Sequence, residues 1–248
     1  NLFGKYIIFY CVFCIMVRAK KYLGQHFLTD VNIAANIAKA LKNENDLPVL
    51  EIGPGTGILT NQLIDRNFKN LVLVELDTES VEYLQENFDT SKFRLVEGDF
   101  LKMNLDEIAE NEMCIIGNFP YNISSQIFFK SLENRTKVVE IVCMIQKEVA
   151  ERIAEKPGTK TYGILSVLLQ AWYDIEYLFS VGEGAFAPPP KVKSAVIRLT
   201  RNSRKELGCN ESLFKVVVKT AFGQRRKTLR NALKHLILDK AGREGWDD

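Results

Sequence analysis

Three short stretches carry residue types that could do chemistry, and each follows an apolar run. The first is Glu51-Ile52-Gly53-Pro54-Gly55-Thr56-Gly57. Glycines at Gly53, Gly55 and Gly57 let a backbone approach a ligand closely, and a helix starting there offers unpaired N–H groups. The GxGxG spacing departs from the GxGxxG of dinucleotide-binding turns, and taken alone such a turn is also an ordinary loop. The second stretch is acidic. Glu75 lies 18 positions after Gly57 in LVLVEL, where its carboxylate can accept both hydroxyls of a ribose. Asp99, in Glu97-Gly98-Asp99-Phe100, can accept a hydrogen bond from an adenine amine. Carboxylates at the ends of adjacent parallel strands line the crevice in which open sheets bind ligands.

The third stretch is Asn118-Phe119-Pro120-Tyr121. An amine on an aromatic ring is a poor nucleophile, because its lone pair is delocalised into the ring. The Asn118 side-chain oxygen and the backbone carbonyl at Pro120 would each accept one N–H. The nitrogen is then drawn toward tetrahedral geometry, with its lone pair aimed at an incoming methyl group. Tyr121 offers a π-face to a base, worth roughly 1–3 kcal/mol. No general base is needed in advance, since alignment and electrostatics supply most of the rate. His26 and His235 have no Ser or Cys partner in a nucleophilic motif, which argues against hydrolase chemistry, and no metal-ligand spacing occurs.

Apolar periodicity supplies the elements that must position these groups. Pro48–Ile52, Leu71–Leu76, Phe93–Val96, Met113–Gly117 and Val138–Ile145 read as buried strands, with helices over Ile58–Arg66 and Thr78–Asn87. Continuous apolar strands alternating with helices imply a parallel sheet covered on both faces. Trp172–Phe179 and Val192–Leu199 read as two closing strands joined by the loop Gly182–Lys191. Beyond Thr200 the strand signal stops, and Ser212–Phe222 and Arg226–Leu238 have helical spacing.

Charge is divided along the chain. Residues 43–112 hold 16 acidic against 5 basic residues, whereas residues 191–240 hold 14 basic against 3 acidic, although the whole chain nets only +2. The acidic half suits a cationic sulfonium cofactor such as S-adenosylmethionine better than the pyrophosphate of NAD. The basic half suits a polyanion. Arg225, Arg226, Lys227 and Arg230 are expected on one helix as phosphate contacts, and Lys191 and Lys193 flank the aromatic loop. A merely solvated helical face is the bland alternative for that segment.

The five cysteines form no disulfide or zinc framework, Cys114 and Cys143 read as small buried hydrophobes, and the Cys11–Cys14 spacing as chance. A reducing, cytosolic compartment is the simplest expectation. Tyr6–Val17 is a twelve-residue apolar run, too short to span a bilayer, followed by basic residues and no small-residue cleavage site. Residues 1–15 are therefore read as an upstream extension before Met16, so that residues 1–17 precede the folded sequence.

These motifs, in this order, resemble the ribosomal RNA adenine N(6)-dimethyltransferase family of bacterial type, from about Arg18 to His235. The resemblance runs through GQHFL at Gly24–Leu28, GPGTG, VELD at Val74–Asp77 and NFPYNISS at Asn118–Ser125. It continues through QKEVAERI at Gln146–Ile153, YGILSV at Tyr162–Val167, FAPPPKVKSAV at Phe186–Val196 and FGQRRKTLRNAL at Phe222–Leu233. It implies an α/β, Rossmann-like S-adenosylmethionine-dependent methyltransferase sheet over residues 18–200, with a small basic helical RNA-binding domain over residues 201–248. It further implies that His26 and Leu28 touch the methionine part of the cofactor and that Phe186 closes over the target base opposite Tyr121. The family commonly has Asn where this chain has His26.

The chain ends Gly245-Trp246-Asp247-Asp248 without the closing helix expected of the family, so the tail after Asp239 is read as truncated or altered. The implied substrate is a pair of adjacent adenines near the 3′ end of small-subunit rRNA, in an immature subunit, modified by a cytoplasmic monomer without metal or membrane. The competing readings are a large-subunit rRNA methyltransferase of the macrolide-resistance type, a DNA adenine methyltransferase, and a non-catalytic ribosome-assembly factor.

Overall fold

The computed structural model describes residues 17–68 and 70–244. The expectation for residues 1–15, with Cys11 and Cys14, lies outside the described residues, as do residues 245–248. Val17, placed in the extension by the sequence, is buried. From the N-terminal side the elements are strand β1 (Phe27–Leu28), helix α1 (Val31–Ala40), β2 (Val49–Ile52), α2 (Ile58–Asp65), β3 (Leu71–Glu75), α3 (Thr78–Asn87), β4 (Arg94–Glu97) and β5 (Met113–Asn118). They continue with α4 (Ser124–Glu133), β6 (Val138–Gln146), α5 (Lys147–Ala154), α6 (Ile164–Gln170), β7 (Tyr173–Val181), β8 (Phe186–Ala187), β9 (Ser194–Arg201), α7 (Glu211–Gly223) and α8 (Leu229–Glu244).

Seven strands form one sheet in the order β4-β3-β2-β5-β6-β9-β7. From β4 to β6 neighbours run parallel, and β9 is antiparallel to both β6 and β7. Why the central strands read as unbroken apolar runs is visible in their two faces. Leu50, Ile52, Val72, Val74, Met113 and Ile115 pack into a core with Phe128, Leu132, Ile153 and Leu169 from α4, α5 and α6. The alternate residues Val49, Leu71, Leu73, Cys114 and Ile116 pack into the opposite core with Ala34 and Ile37 of α1 and Leu63 of α2. Side chains alternate across a strand, so a sheet covered on both faces needs apolar residues at every position. Each such side chain contributes roughly 1.5–3 kcal/mol on burial.

Between β2 and β5 the chain direction of winding reverses, which leaves a crevice at the carboxyl ends of the strands. A second, two-stranded sheet pairs β1 with β8, Phe27 opposite Ala187 and Leu28 opposite Phe186, and this pairing was not foreseen. It ties the segment before α1 to the loop before β9.

At the C-terminal end α7 packs on α6, and α8 on α7. Arg135 joins α7 to the sheet domain, donating to both carboxylate oxygens of Glu211 at 2.7 and 2.8 Å while lying 4.1 Å over the Trp172 ring. One boundary differs from expectation. Arg225, Arg226 and Lys227 lie in the turn before α8, not on the helix; the Lys227 N–H donates to the Gln224 carbonyl at 2.8 Å. Thr228 caps the helix, its Oγ1 accepting from the Asn231 N–H at 3.4 Å. Three successive cations are disfavoured inside a helix N-terminus, where the dipole is positive, and Thr is a favoured cap. Among the described residues no helix is long and apolar enough to cross a membrane.

Candidate active site

The glycine turn joins β2 to α2 and places its glycines differently. Gly53 (φ +67°) and Gly55 (φ +55°) line the crevice, and the Gly55 N–H donates to Glu75 Oε2 at 2.9 Å. Gly57 (φ +77°) does not line it; a Cβ there would lie 2.3 Å from the Phe88 ring and 3.0 Å from Leu84. Expected as a cofactor contact, Gly57 is required instead by the close packing of the end of α3 against the start of α2.

Glu75 closes β3 and is buried. Its Oε1 accepts from the Leu76 and Asp77 N–H groups, both at 2.9 Å, and its Oε2 from Gly55. Burial raises its pKa, and the three backbone N–H groups only partly offset that. A carboxylate has about four acceptor sites, so the backbone takes three of them. Asp99, after β4, also lines the crevice; its Oδ1 accepts from Leu101 N–H at 3.0 Å. Among the described residues no Lys or Arg lines this cavity, whereas Glu75 and Asp99 both do. The site is therefore suited to a cation and hostile to phosphates.

Asn118, the last residue of β5, lines the same cavity. Its Nδ2 donates to the His26 carbonyl at 2.9 Å, which leaves Oδ1 as a directed acceptor. The motif's second acceptor differs from expectation. The Pro120 carbonyl already accepts from Ile123 N–H at 3.2 Å, while that of Phe119 accepts no hydrogen bond among the described residues. The tight turn after Pro120 consumes one carbonyl and leaves the other without a donor among the described residues. Tyr121 lines the cavity too, with its hydroxyl 2.5 Å from Ser194 Oγ at the start of β9.

Two expected contacts lie elsewhere. Phe186 is buried in the core with Leu28, Val181 and Val196 and does not line the cavity. Alternation explains it: β8 is two residues long, and pairing with β1 turns Phe186 inward and Ala187 outward. Leu28 lines a smaller neighbouring hollow with Glu51, Thr56 and Asn118. His26 does line the main cavity. Lys191 and Lys193 are exposed, and Lys193 directly precedes Ser194, which anchors Tyr121. Arg225, Arg226, Lys227 and Arg230 are exposed, and none forms an ion pair with a described residue.

Sequence reasoning missed two features. Residues Leu23–Phe27 form one wall of the cavity, where only His26 was expected. This strap is pinned where Lys20 pairs with Asp77 and Glu79 and where Gln25 Nε2 donates to Asp77 Oδ2 at 3.2 Å. The second is Glu51, a carboxyl in the middle of the buried β2 run, whose Oε2 accepts from the Thr60 hydroxyl at 2.7 Å. Its charge among alternating apolar residues was the available signal.

Burial pushes Glu51 from its ordinary 4.5 up to about 8. Between those values the folded chain holds a proton that the unfolded chain has released, so stability falls as pH rises across that window. Glu51→Gln keeps the Thr60 bond and is expected to flatten the decline. Melting temperatures at pH 5 and pH 8 measure this, and equal declines in both proteins would exclude Glu51 as the source.

The sheet order, the glycine turn, the two strand-end carboxylates and the Asn-Phe-Pro-Tyr turn together define a Rossmann-like methyltransferase. The family described as ribosomal RNA adenine dimethylase matches residues 16–243. A protein of Parabacteroides distasonis named ribosomal RNA small subunit methyltransferase A is 60% identical over 222 residues, covering 90% of this chain and 83% of that one. Among solved structures, a dimethyladenosine transferase from Plasmodium falciparum superposes with TM-score 0.72 at 28% identity, covering 84% of this chain and 75% of the other. The 23S rRNA methyltransferase ErmE gives 0.64 at 29%, covering 84% of each chain. The chain belongs to the ribosomal RNA adenine dimethylase family.

Proposed function

We propose that this enzyme transfers methyl groups from S-adenosylmethionine to the exocyclic N6 amines of two adjacent adenines near the 3′ end of small-subunit rRNA, two per base. One observation carries the chemistry. Asn118 lines the cavity with Glu75 and Asp99 and commits its Nδ2 to the His26 carbonyl, which leaves Oδ1 as its acceptor. Asn118 Oδ1 and the Phe119 carbonyl each accept one N–H of the amine, which localises the lone pair on nitrogen. Tyr121 supports the base, and Pro120 shapes the turn between them. The proton leaves after the new bond forms, when the nitrogen is strongly acidic.

The cofactor supplies an electrophilic methyl on a cationic sulfur. Glu75 would accept a ribose hydroxyl at its remaining site and Asp99 the adenine amine, with Gly53 and Gly55 allowing close backbone approach. The backbone at His26, which lines the cavity, would border the methionine end. The acidic lining without Lys or Arg is what fits these residues to that group.

The identity to the small-subunit methyltransferase of Parabacteroides distasonis supports the small-subunit assignment over the large-subunit one. The working state is taken to be a cytoplasmic monomer acting on an immature subunit. Incubation with labelled S-adenosylmethionine and either immature small subunits, naked small-subunit RNA, large-subunit RNA or DNA tests the assignment. Label is expected in adenines of the small-subunit RNA. Label in large-subunit RNA or DNA alone would overturn it.

The turn 225–227 with Arg230, extended by Lys191 and Lys193, is the proposed RNA contact. Replacing Arg225, Arg226, Lys227 and Arg230 by Ala is expected to weaken RNA binding and flatten its dependence on salt. Each lost phosphate contact lowers the log–log slope by roughly 0.7–0.9. Binding titrations at several salt concentrations measure it; an unchanged slope would place the RNA elsewhere. Cofactor affinity should not move.

A further inference from the structure

We propose that His26 is a positioning residue for the methyl acceptor, its imidazole backing the Tyr121 ring and so fixing the plane against which the base lies. This rests on the reading of the cavity as an adenine-amine site. The two rings stack with centroids 5.4 Å apart and planes 30° apart. His26 Nδ1 lies 2.9 Å from the Pro188 carbonyl. A carbonyl only accepts, so Nδ1 carries the proton, and that bond fixes both the tautomer and the orientation of the ring. The His26 backbone carbonyl meanwhile holds Asn118 Nδ2. One residue thus touches both side chains that handle the amine, and through Pro188 it joins them to the loop that follows β8.

The alternative is a gate, with the imidazole occupying the place of the base until displaced. Two observations favour a fixed backing. The strap is held on both sides of His26, by Gln25 on Asp77 and by Phe27 and Leu28 paired with β8. Nor can a base enter between the rings as they stand. A ring sandwiched by two others needs about 7 Å between the outer planes, twice the ~3.5 Å contact distance of carbon. The base therefore takes the other face of Tyr121, whose hydroxyl is independently fixed by Ser194. Held at its edge by Ser194 and on one face by His26, the ring has little freedom to tilt, and small misplacement at a reacting centre can cost up to about 10²-fold in rate.

Three variants separate the contacts, since each retains a backbone carbonyl for Asn118. His26→Phe keeps the stack and loses the Nδ1 bond, while His26→Asn and His26→Ala lose the ring. The readouts are kcat and KM for RNA, cofactor Kd by calorimetry, and melting temperature. The Ala and Asn variants are expected to lose about 10- to 100-fold in kcat, with cofactor Kd within twofold and folding intact. His26→Phe is expected to recover most of that loss. Wild-type kcat in His26→Ala, or a Phe variant as slow as Ala, would overturn the proposal. So would a lowered KM at unchanged kcat, the mark of a gate. The ranking is measured on whichever adenine-bearing RNA the wild-type enzyme labels, so a wrong RNA class leaves it readable. Failure of the wild type to label any adenine would instead sink the functional reading.

Discussion

Asn118→Ala is expected to reduce kcat by roughly 10²–10³-fold while cofactor affinity changes no more than a few-fold. The magnitude is that of removing one preorganised polar group from a site where charge develops, about 2.7–4 kcal/mol. Asn118 qualifies because its orientation is set before substrate arrives: Nδ2 is spent on the His26 carbonyl, and Oδ1 has one direction left. An alanine removes the acceptor and leaves the amine conjugated with its ring. It does not remove the Phe119 carbonyl, so a residual rate above background should survive. Asn118→Asp sharpens the test. The carboxylate is nearly isosteric but cannot donate to the His26 carbonyl, so the strap and the site lose their tie even though an acceptor remains. Single-turnover transfer of labelled methyl, with cofactor binding measured separately, distinguishes the chemical step from binding. Unchanged turnover in Asn118→Ala would remove Asn118 from the mechanism.

The parts of this site that were readable in the sequence are those written locally. β2, β3 and β5 begin and end within one residue of their apolar runs, because a strand covered on both faces is apolar at nearly every position, Glu51 in β2 being the exception. Glu75 and Asn118 follow from that, being the first polar residues at the carboxyl ends of such strands, and Asp99 lies two residues beyond the end of β4. What could not be read depends on partners far away in the chain. The β1–β8 pair has two residues per strand, too few for any periodicity, and joins Phe27 to Ala187. Without it nothing announces that Phe186 faces the core. The same distance hides the stack of His26 on Tyr121 and the pinning of Gln25 on Asp77.

Other differences were local but ambiguous. Thr228 is a helix cap in sequence terms, yet the basic residues before it also fit a helical face, and only the turn at Gln224–Lys227 decides between them. Gly57 belongs to the same motif as Gly53 and Gly55 but answers to Phe88, a packing demand that spacing cannot express. Cys114 and Cys143 are buried, as their apolar runs imply.

Glu75→Ala should produce the second large effect, and of a different kind: loss of cofactor binding together with loss of stability. The Glu75 carboxylate is the common acceptor for the N–H groups of Gly55, Leu76 and Asp77, so it holds the glycine turn against the end of β3. Each N–H left without a partner costs about 1–3 kcal/mol when water cannot replace it. Because the crevice is open to solvent on one side, the total should fall near the lower end, about 3 kcal/mol. Cofactor affinity is expected to drop by about 10²-fold or more, through both the missing hydroxyl acceptor and the loosened turn. Glu75→Gln separates these. Its amide oxygen can still accept from Leu76 and Asp77, but its NH₂ faces the Gly55 N–H, so most of the stability should return without the affinity. The direction of the Glu75 pKa adds a pH arm: burial favours its protonated form, which has less capacity to accept, so affinity should weaken as pH falls and do so less in Glu75→Gln. Calorimetry across pH with parallel thermal unfolding measures all three. If Glu75→Ala binds S-adenosylmethionine as tightly as the wild type, the ribose does not lie at the end of β3, and the cofactor must be placed elsewhere in the crevice.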